Sequence, residues 1–285
     1  MCTVLYVPWD RGPVAAAIGL NRDEAYARPA AAERWWPAAD GGVGFVAPVD
    51  LRAGGTWYGL AETGLFVALT NGRHGRQPAG PFRGERSRGE LVVAALRRGG
   101  LAAAVDDLAA RDAFAYNPCH LLLAQGDQVA YVAPDSHGRF AVAPLERAAH
   151  SVTNAGLDAG DTPALPVGPG GAGSAAALAA LRAALATHAG ATARCRHGRD
   201  YGTRSSAVVL LGPDLPASRV FTAAGRPCDT PFRELALAEL TGAASDGGRC
   251  APAHGEARRS SAEQAGPLWP PGRVLLGGGD PRLSS

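Results

Sequence analysis

The chain has 285 residues, 46% of them hydrophobic, with a formal net charge of +2. That is enough apolar material for one large layered domain, and too little charge bias to argue for a nucleic-acid partner or an anionic membrane surface. All 28 basic residues are Arg, which excludes Schiff-base and lysine-base chemistry.

The opening stretch, MCTVLYVPWD, has neither a basic n-region nor an apolar h-region, so it does not read as a signal peptide. No apolar run approaches the roughly 20 residues of a membrane helix, and no membrane insertion is expected. Five Cys without a secretory signal predict reduced thiols and a cytoplasmic protein. Residues 2–7 read as a strand, and 14–20 as a second strand ending in Asn21-Arg22-Asp23-Glu24. Residues 55–70, punctuated by Gly59 and Gly64, predict a hairpin. From Ser87 the spacing of Leu91, Val92, Ala95 and Leu96 is helical and stops at Gly99-Gly100, and a second helix is expected over 101–111.

Strands follow at 119–125 and 128–133 around the turn Gly126-Asp127. A Gly/Pro-rich loop at 165–173 leads to a helix over 175–187 with Leu178, Leu181 and Leu185 on one face. Strands are expected at 206–212 and 219–223, then a helix at 231–241. The predicted organisation is a domain over 1–242 and a Gly/Pro/Ser/Arg-rich tail over 243–285, poorly ordered and dispensable. Paired strands interrupted by blocks of helix predict an antiparallel α+β layer fold.

Cys2 is the first residue with chemistry to offer. Removal of Met1 would free its α-amine, whose pKa of about 7.7–8.0 lies close to the thiol's, at about 8.5. One residue then serves as nucleophile and base; the plainer reading is a buried Cys in an edge strand. Such a site also needs amide donors for a tetrahedral oxyanion. The chain has four Asn, and three of them, Asn21, Asn71 and Asn154, end strand-like apolar stretches, although Asn also favours turns and caps. Arg204, just before the apolar run 207–211, could stabilise a thiolate or bind a substrate carbonyl or carboxylate.

Several motifs occur in order: Met1-Cys2-Thr3, Asn21-Arg22-Asp23-Glu24 with Arg28-Pro29, and Gly54-Gly55-Thr56-Trp57 with Gly59. Ala68-Leu69-Thr70-Asn71, Arg88-Gly89-Glu90-Leu91-Val92, Thr153-Asn154-Ala155 and Tyr201-Gly202-Thr203-Arg204 follow. Over about residues 1–235 the sequence resembles the NRDE family, which includes the transport-and-Golgi-organisation 2 proteins. The resemblance implies a four-layer αββα sandwich of antiparallel sheets, as in N-terminal-nucleophile (Ntn) hydrolases such as choloylglycine hydrolases and penicillin V acylases. It implies Cys2 as nucleophile and base, Asp23 holding the α-amine and Arg22 steadying the thiolate. Asn71 and Asn154 would form the oxyanion hole, with Arg204 completing the electrostatic frame. Asn21, Glu24, Trp57 and Tyr201 are expected to border a small-molecule substrate. In those hydrolases the Arg and the Asp are separated by intervening residues, whereas here they are adjacent. Strand neighbours point to opposite faces, so Glu24 is a stand-in for Asp23.

The implied activity is a cofactor-independent cysteine amidohydrolase or acyltransferase acting on a non-peptide amide or thioester. The alternative is a binding or trafficking protein for haem or lipid, with Cys2, His74 or His120 as axial ligand to haem. Other motifs carry less. Gly168-Pro169-Gly170-Gly171-Ala172-Gly173 matches G-x-G-x-x-G without a preceding buried strand. Cys195-Arg196-His197 lacks a second ligand pair at metal spacing, so no metal is expected. Trp35 and Trp36 read as a packed lid or a substrate mouth, and Trp57 by itself as core.

Overall fold

Apolar residues in the first two strands alternate between two environments, and that alternation builds the layers. In a computed structural model describing residues 2–9, 12–72, 82, 84–159, 174–188 and 193–242, β1 is Thr3–Pro8 and β2 is Ala16–Ala25. Val4, Tyr6, Ile18 and Leu20 join a core between two sheets, whereas Leu5, Val7 and Ala17 face a helix on the other side. A strand whose two faces are both buried reads as a nearly continuous apolar run, as 14–20 does.

The remaining strands are β3 (Ala30–Trp36), β4 (Phe45–Asp50), β5 (Tyr58–Ala61), β6 (Phe66–Asn71), β7 (Cys119–Gln125), β8 (Gln128–Pro134) and β9 (Phe140–Pro144). They are followed by β10 (His150–Thr153), β11 (Gly156–Leu157), β12 (Tyr201–Leu211), β13 (Arg219–Ala223) and β14 (Arg233–Glu234). One seven-stranded sheet runs β11-β10-β1-β2-β12-β13-β14, the other β3-β4-β5-β6-β7-β8-β9. Every recorded pairing between these strands is antiparallel.

Helix α1 (Arg88–Arg97) begins at Ser87, whose side chain accepts from the Gly89 N–H, and it buries Leu91, Val92, Ala95 and Leu96. Gly99, at a positive φ of 66°, turns the chain into α2 (Leu101–Ala109). Both helices cover the second sheet through one apolar cluster, and α3 (Ser174–Leu185) covers the first through Leu181 and Leu185. The order of layers is therefore helix, sheet, sheet, helix, as expected. Each fully buried Leu, Ile or Phe in these three clusters contributes roughly 1.5–3 kcal/mol.

Two differences from the sequence reading have local causes. The helix expected at 231–241 is split, because Arg233 and Glu234 pair with Thr222 and Phe221; only α4 (Leu237–Gly242) is helical. Strands β3 and β4 went unread, since β3 is half exposed and its register shifts between Ala31 and Arg34. Trp36 stacks on Phe45 and donates to the Ala47 carbonyl, so this Trp packs within the second sheet. The 168–173 motif, His74 and the 243–285 tail lie outside the described residues. Among the described residues no helix is long and apolar enough to cross a membrane.

Candidate active site

Cys2 immediately precedes β1, whose even-numbered residues face the space between the sheets. On β2 the same parity falls on Arg22 and Glu24. Cys2, Arg22 and Glu24 accordingly line one cavity of about 290 Å³, closed on the far side by Asn71 at the end of β6 and by Ser87 and Arg88 at the start of α1. The Gly54-Gly55-Thr56 segment reaches this wall only because Gly55 has no side chain. A Cβ there would lie 2.6 Å from the Gly89 carbonyl carbon.

Arg22 is 5% exposed, and its guanidinium sits 4.2 Å from the centroid of the Trp57 ring. Burial lowers its pKa against the pull of Glu24, Asp50 and Cys2. It forms no ion pair or hydrogen bond with any described residue, and neither does the side chain of Asn71. Other charged residues at the cavity are engaged: Arg28 with Asp50 at 2.6 Å, Arg86 with Glu90 at 2.6 Å, and Arg88 with the Pro118 carbonyl at 3.2 Å. A buried cation and an amide with no polar partner among the described residues are suited to meet a substrate.

The Cys2 Sγ lies 3.6 Å from the Asp23 carbonyl oxygen, to which it donates. Although the residue as a whole is only half-buried, neighbouring atoms strip water from the thiol. That burial and the Asp23 carboxylate push its pKa up, against the lowering effect of its hydrogen bond to the Asp23 backbone. The Tyr201 hydroxyl donates to the same carbonyl at 2.8 Å. Burial, then the charges of Cys2 and Asp23, push that phenol up as well.

Of the expected site residues, Asn21, Asp23, Asn154, Tyr201 and Arg204 do not line this cavity. Asn21 is 2% exposed and points away from the cavity: its amide donates to the Leu185 and Arg194 carbonyls at 2.9 and 3.0 Å and accepts from the Ser206 hydroxyl. Its place on the opposite strand face makes it a tie to the outer helix rather than a substrate contact. The Arg204 guanidinium donates to the carbonyls of Ala25, Tyr26 and Arg28 and lines a neighbouring cavity that Arg22 also borders. It is a bulged residue, skipped between the Thr203–Asp23 and Ser205–Arg22 pairs, and it braces the turn after β2. Asn154 follows the Thr3–Thr153 pair and borders a third cavity; its Oδ1 is buried without a partner.

The Asp23 carboxylate lies on the face opposite Arg22, fully buried, accepting from the Thr203 hydroxyl at 2.7 Å with the Arg196 Nε 3.6 Å away. Glu24 takes the cavity side, where Oε1 accepts from the Ala25 N–H. Sequence reasoning missed Arg28, Asp50, Arg88 and Asn117 at the cavity. Arg28 and Arg88 stood in the ordered motifs without a site role, and Asn117, the fourth Asn, follows no apolar strand.

Among the described residues, the cavity does not favour a haem. The His120 ring is engaged by the Tyr131 hydroxyl at 2.6 Å and lies outside the Cys2 cavity. That cavity is small and its described walls are charged, where a macrocycle needs apolar ones.

Two solved structures share the fold of the Ntn hydrolase superfamily. The Caenorhabditis elegans ortholog of N-acylethanolamine-hydrolyzing acid amidase superposes with a TM-score of 0.51 and 14% identity, over 75% of this chain and 94% of that one. A variant of the conjugated bile acid hydrolase of Clostridium perfringens gives 0.52 and 12%, over 84% and 93%. Among curated proteins, the Transport and Golgi organization protein 2 homolog of Bos taurus is 34% identical over 98 residues. This match spans 33% of this chain and 34% of the bovine one, so the chain covers about a third of that relative's length. The Transport and Golgi organisation 2 family model matches residues 1–166, more than half of the chain. With the αββα layers and the ordered motifs that line the cavity, the match establishes that the chain belongs to the Transport and Golgi organisation 2 family.

Proposed function

We propose that removal of Met1 turns this chain into a cysteine Ntn amidohydrolase or acyltransferase, acting on an amide or thioester of a small polar molecule. The observation that carries the reading is the convergence of Cys2, Arg22 and Asn71 on one cavity, the last two with no hydrogen-bond partner among the described residues. Both solved neighbours are named as hydrolases, which agrees with it.

The freed α-amine takes the thiol proton, and the thiolate, steadied by Arg22, attacks the carbonyl carbon. The Asn71 amide donates to the oxyanion as the tetrahedral intermediate forms. Collapse breaks the C–N or C–S bond; the α-ammonium returns its proton to the leaving group, and water or an amine releases the acyl group from Cys2. Asp23, on the far face, acts through position: Thr203 and Arg196 hold it where its carbonyl meets the thiol. The unpartnered Asn154 Oδ1 beside the strand end is a suitable acceptor for the new ammonium.

The test is the intact mass of the purified chain before and after brief iodoacetamide at neutral pH, followed by incubation with an activated acyl ester. Loss of Met1, preferential labelling of Cys2 and a hydroxylamine-sensitive acyl adduct absent from Cys2→Ala are expected. Retained Met1, or a Cys2 no faster than the other thiols, overturns the mechanism.

A further inference from the structure

Away from the Cys2 cavity, four side chains with soft or borderline donors meet at one point. His188, Cys195, His197 and Cys228 each present a ligand atom, and these atoms all lie within 4.8 Å of one another. We propose that they form a structural zinc site of the Cys2His2 type.

The edge lengths carry the proposal. A tetrahedral zinc with Zn–S of about 2.3 Å and Zn–N of about 2.0–2.1 Å sets its ligands about 3.8 Å apart for S···S and about 3.5–3.6 Å for S···N. Here the Cys195 and Cys228 Sγ atoms are 3.6 Å apart, and His197 Nε2 lies 3.5 Å from one and 3.3 Å from the other. Three corners of a tetrahedron are thus already at metal spacing. The His188 ring stands edge-on to His197, centroids 4.7 Å apart, and as an exposed side chain it closes the fourth corner by rotation.

The backbone explains the meeting. The Thr187 carbonyl accepts from both the Arg194 and Cys195 N–H groups at 2.9 Å, which clamps the base of the loop after α3 and sets His188 beside Cys195. The Arg226 carbonyl accepts from the Asp229 and Thr230 N–H groups, a tight turn that presents Cys228 from the β13–β14 connection. Three separate segments therefore supply the ligands.

Two thiolates and two imidazoles favour zinc over the hard cations, which need oxygen ligands. Binding Zn²⁺ displaces the two thiol protons and leaves a neutral centre. Metallation of His197 at Nε2 places its ring proton on Nδ1. Arg226, now 3.1 Å from that nitrogen, then keeps only its Asp229 partner. Four protein ligands leave no position for water, so the ion is a staple rather than a catalyst. It fastens Arg196, between two of the ligands, and Tyr201, a few residues on, against the carboxylate and carbonyl of Asp23.

The experiment is metal analysis of the untagged full chain, purified under reducing conditions without chelator and then given equimolar zinc, together with the visible spectrum of its cobalt form. About one zinc per chain and the intense bands of tetrahedral thiolate-bound Co(II) are expected. Cys228→Ser and His188→Ala, both at exposed positions, lose the metal, and Cys2→Ala keeps it. Zinc absent from the reduced wild type, zinc equal in wild type and both cluster variants, or a Cys195–Cys228 disulfide that persists under reduction overturns the proposal.

Discussion

The guanidinium of Arg22 sits over the indole of Trp57, 4.2 Å from the ring centroid, on the strand face that Cys2 shares. Stacking contributes about 0.5–2 kcal/mol and fixes where the charge stands. Arg22→Leu is expected to slow iodoacetamide labelling of Cys2 about tenfold at neutral pH, the effect of roughly one pKa unit on the thiolate. Trp57→Leu keeps the charge and costs less. Equal labelling rates in wild type and Arg22→Leu would remove Arg22 from the mechanism.

Asn71 separates attack from simple alkylation, because iodoacetamide forms no oxyanion. Asn71→Ala should leave the labelling rate of Cys2 unchanged and slow its acylation by an activated ester on the order of 10²–10³-fold. Parallel loss in both assays would mean that Asn71 shapes the site and donates nothing to the oxyanion.

Asn21 makes the opposite prediction. Its amide ties the first sheet to the carbonyls of Leu185 and Arg194, and its oxygen accepts from Ser206. Asn21→Ala leaves buried groups unsatisfied and should cost about 1–3 kcal/mol in chemical denaturation. The labelling rate of Cys2 in the folded protein should not change.

Asp50 predicts an acid limit to stability. Burial alone would raise its carboxyl, but the Arg28 hydrogen bond and charge, with the N–H groups of Arg52 and Ala53, outweigh burial and leave it below its ordinary value. A carboxylate depressed in the folded state stabilises above its unfolded pKa of about 3.9, and that stability is lost as the pH falls through the folded value. Wild type minus Asp50→Asn should show a stability difference at neutral pH that vanishes in this acid window. Asp107, held low by Arg98 and Arg111, contributes with the same sign to both proteins and cancels.

Much of this fold is legible residue by residue. The turn at Gly126-Asp127 and the apolar runs around it mark β7 and β8 closely, and Leu181 and Leu185 mark the buried face of α3. The layer order came from the family resemblance, because local alternation cannot say which strands neighbour one another. At the site, adjacency of Arg22 and Asp23 announces that their side chains part company, yet it does not say which one meets Cys2. That follows from the parity of Ile18 and Leu20, known once the two sheets are stacked. The same parity turns Asn21, expected at the substrate, away from the cavity. The thiol–imidazole cluster was invisible for another reason: Cys195 and His197 are two positions apart in sequence, but His188 and Cys228 arrive from other segments.

The strand that carries Cys2 is interior to its sheet, flanked by β10 and β2, and β2 in turn needs β12. Thr3 meets Thr153, 150 positions away, and Asn21 meets Ser206, 185 positions away. During synthesis β1 and β2 therefore emerge long before β10 and β12, the strands that complete the sheet on either side of them. On the proposed mechanism, that interval is when an aminopeptidase would reach Met1. Under the proposed mechanism, the arrival of β10 and β12 would close that opportunity, and the order of translation would time the trimming of Met1.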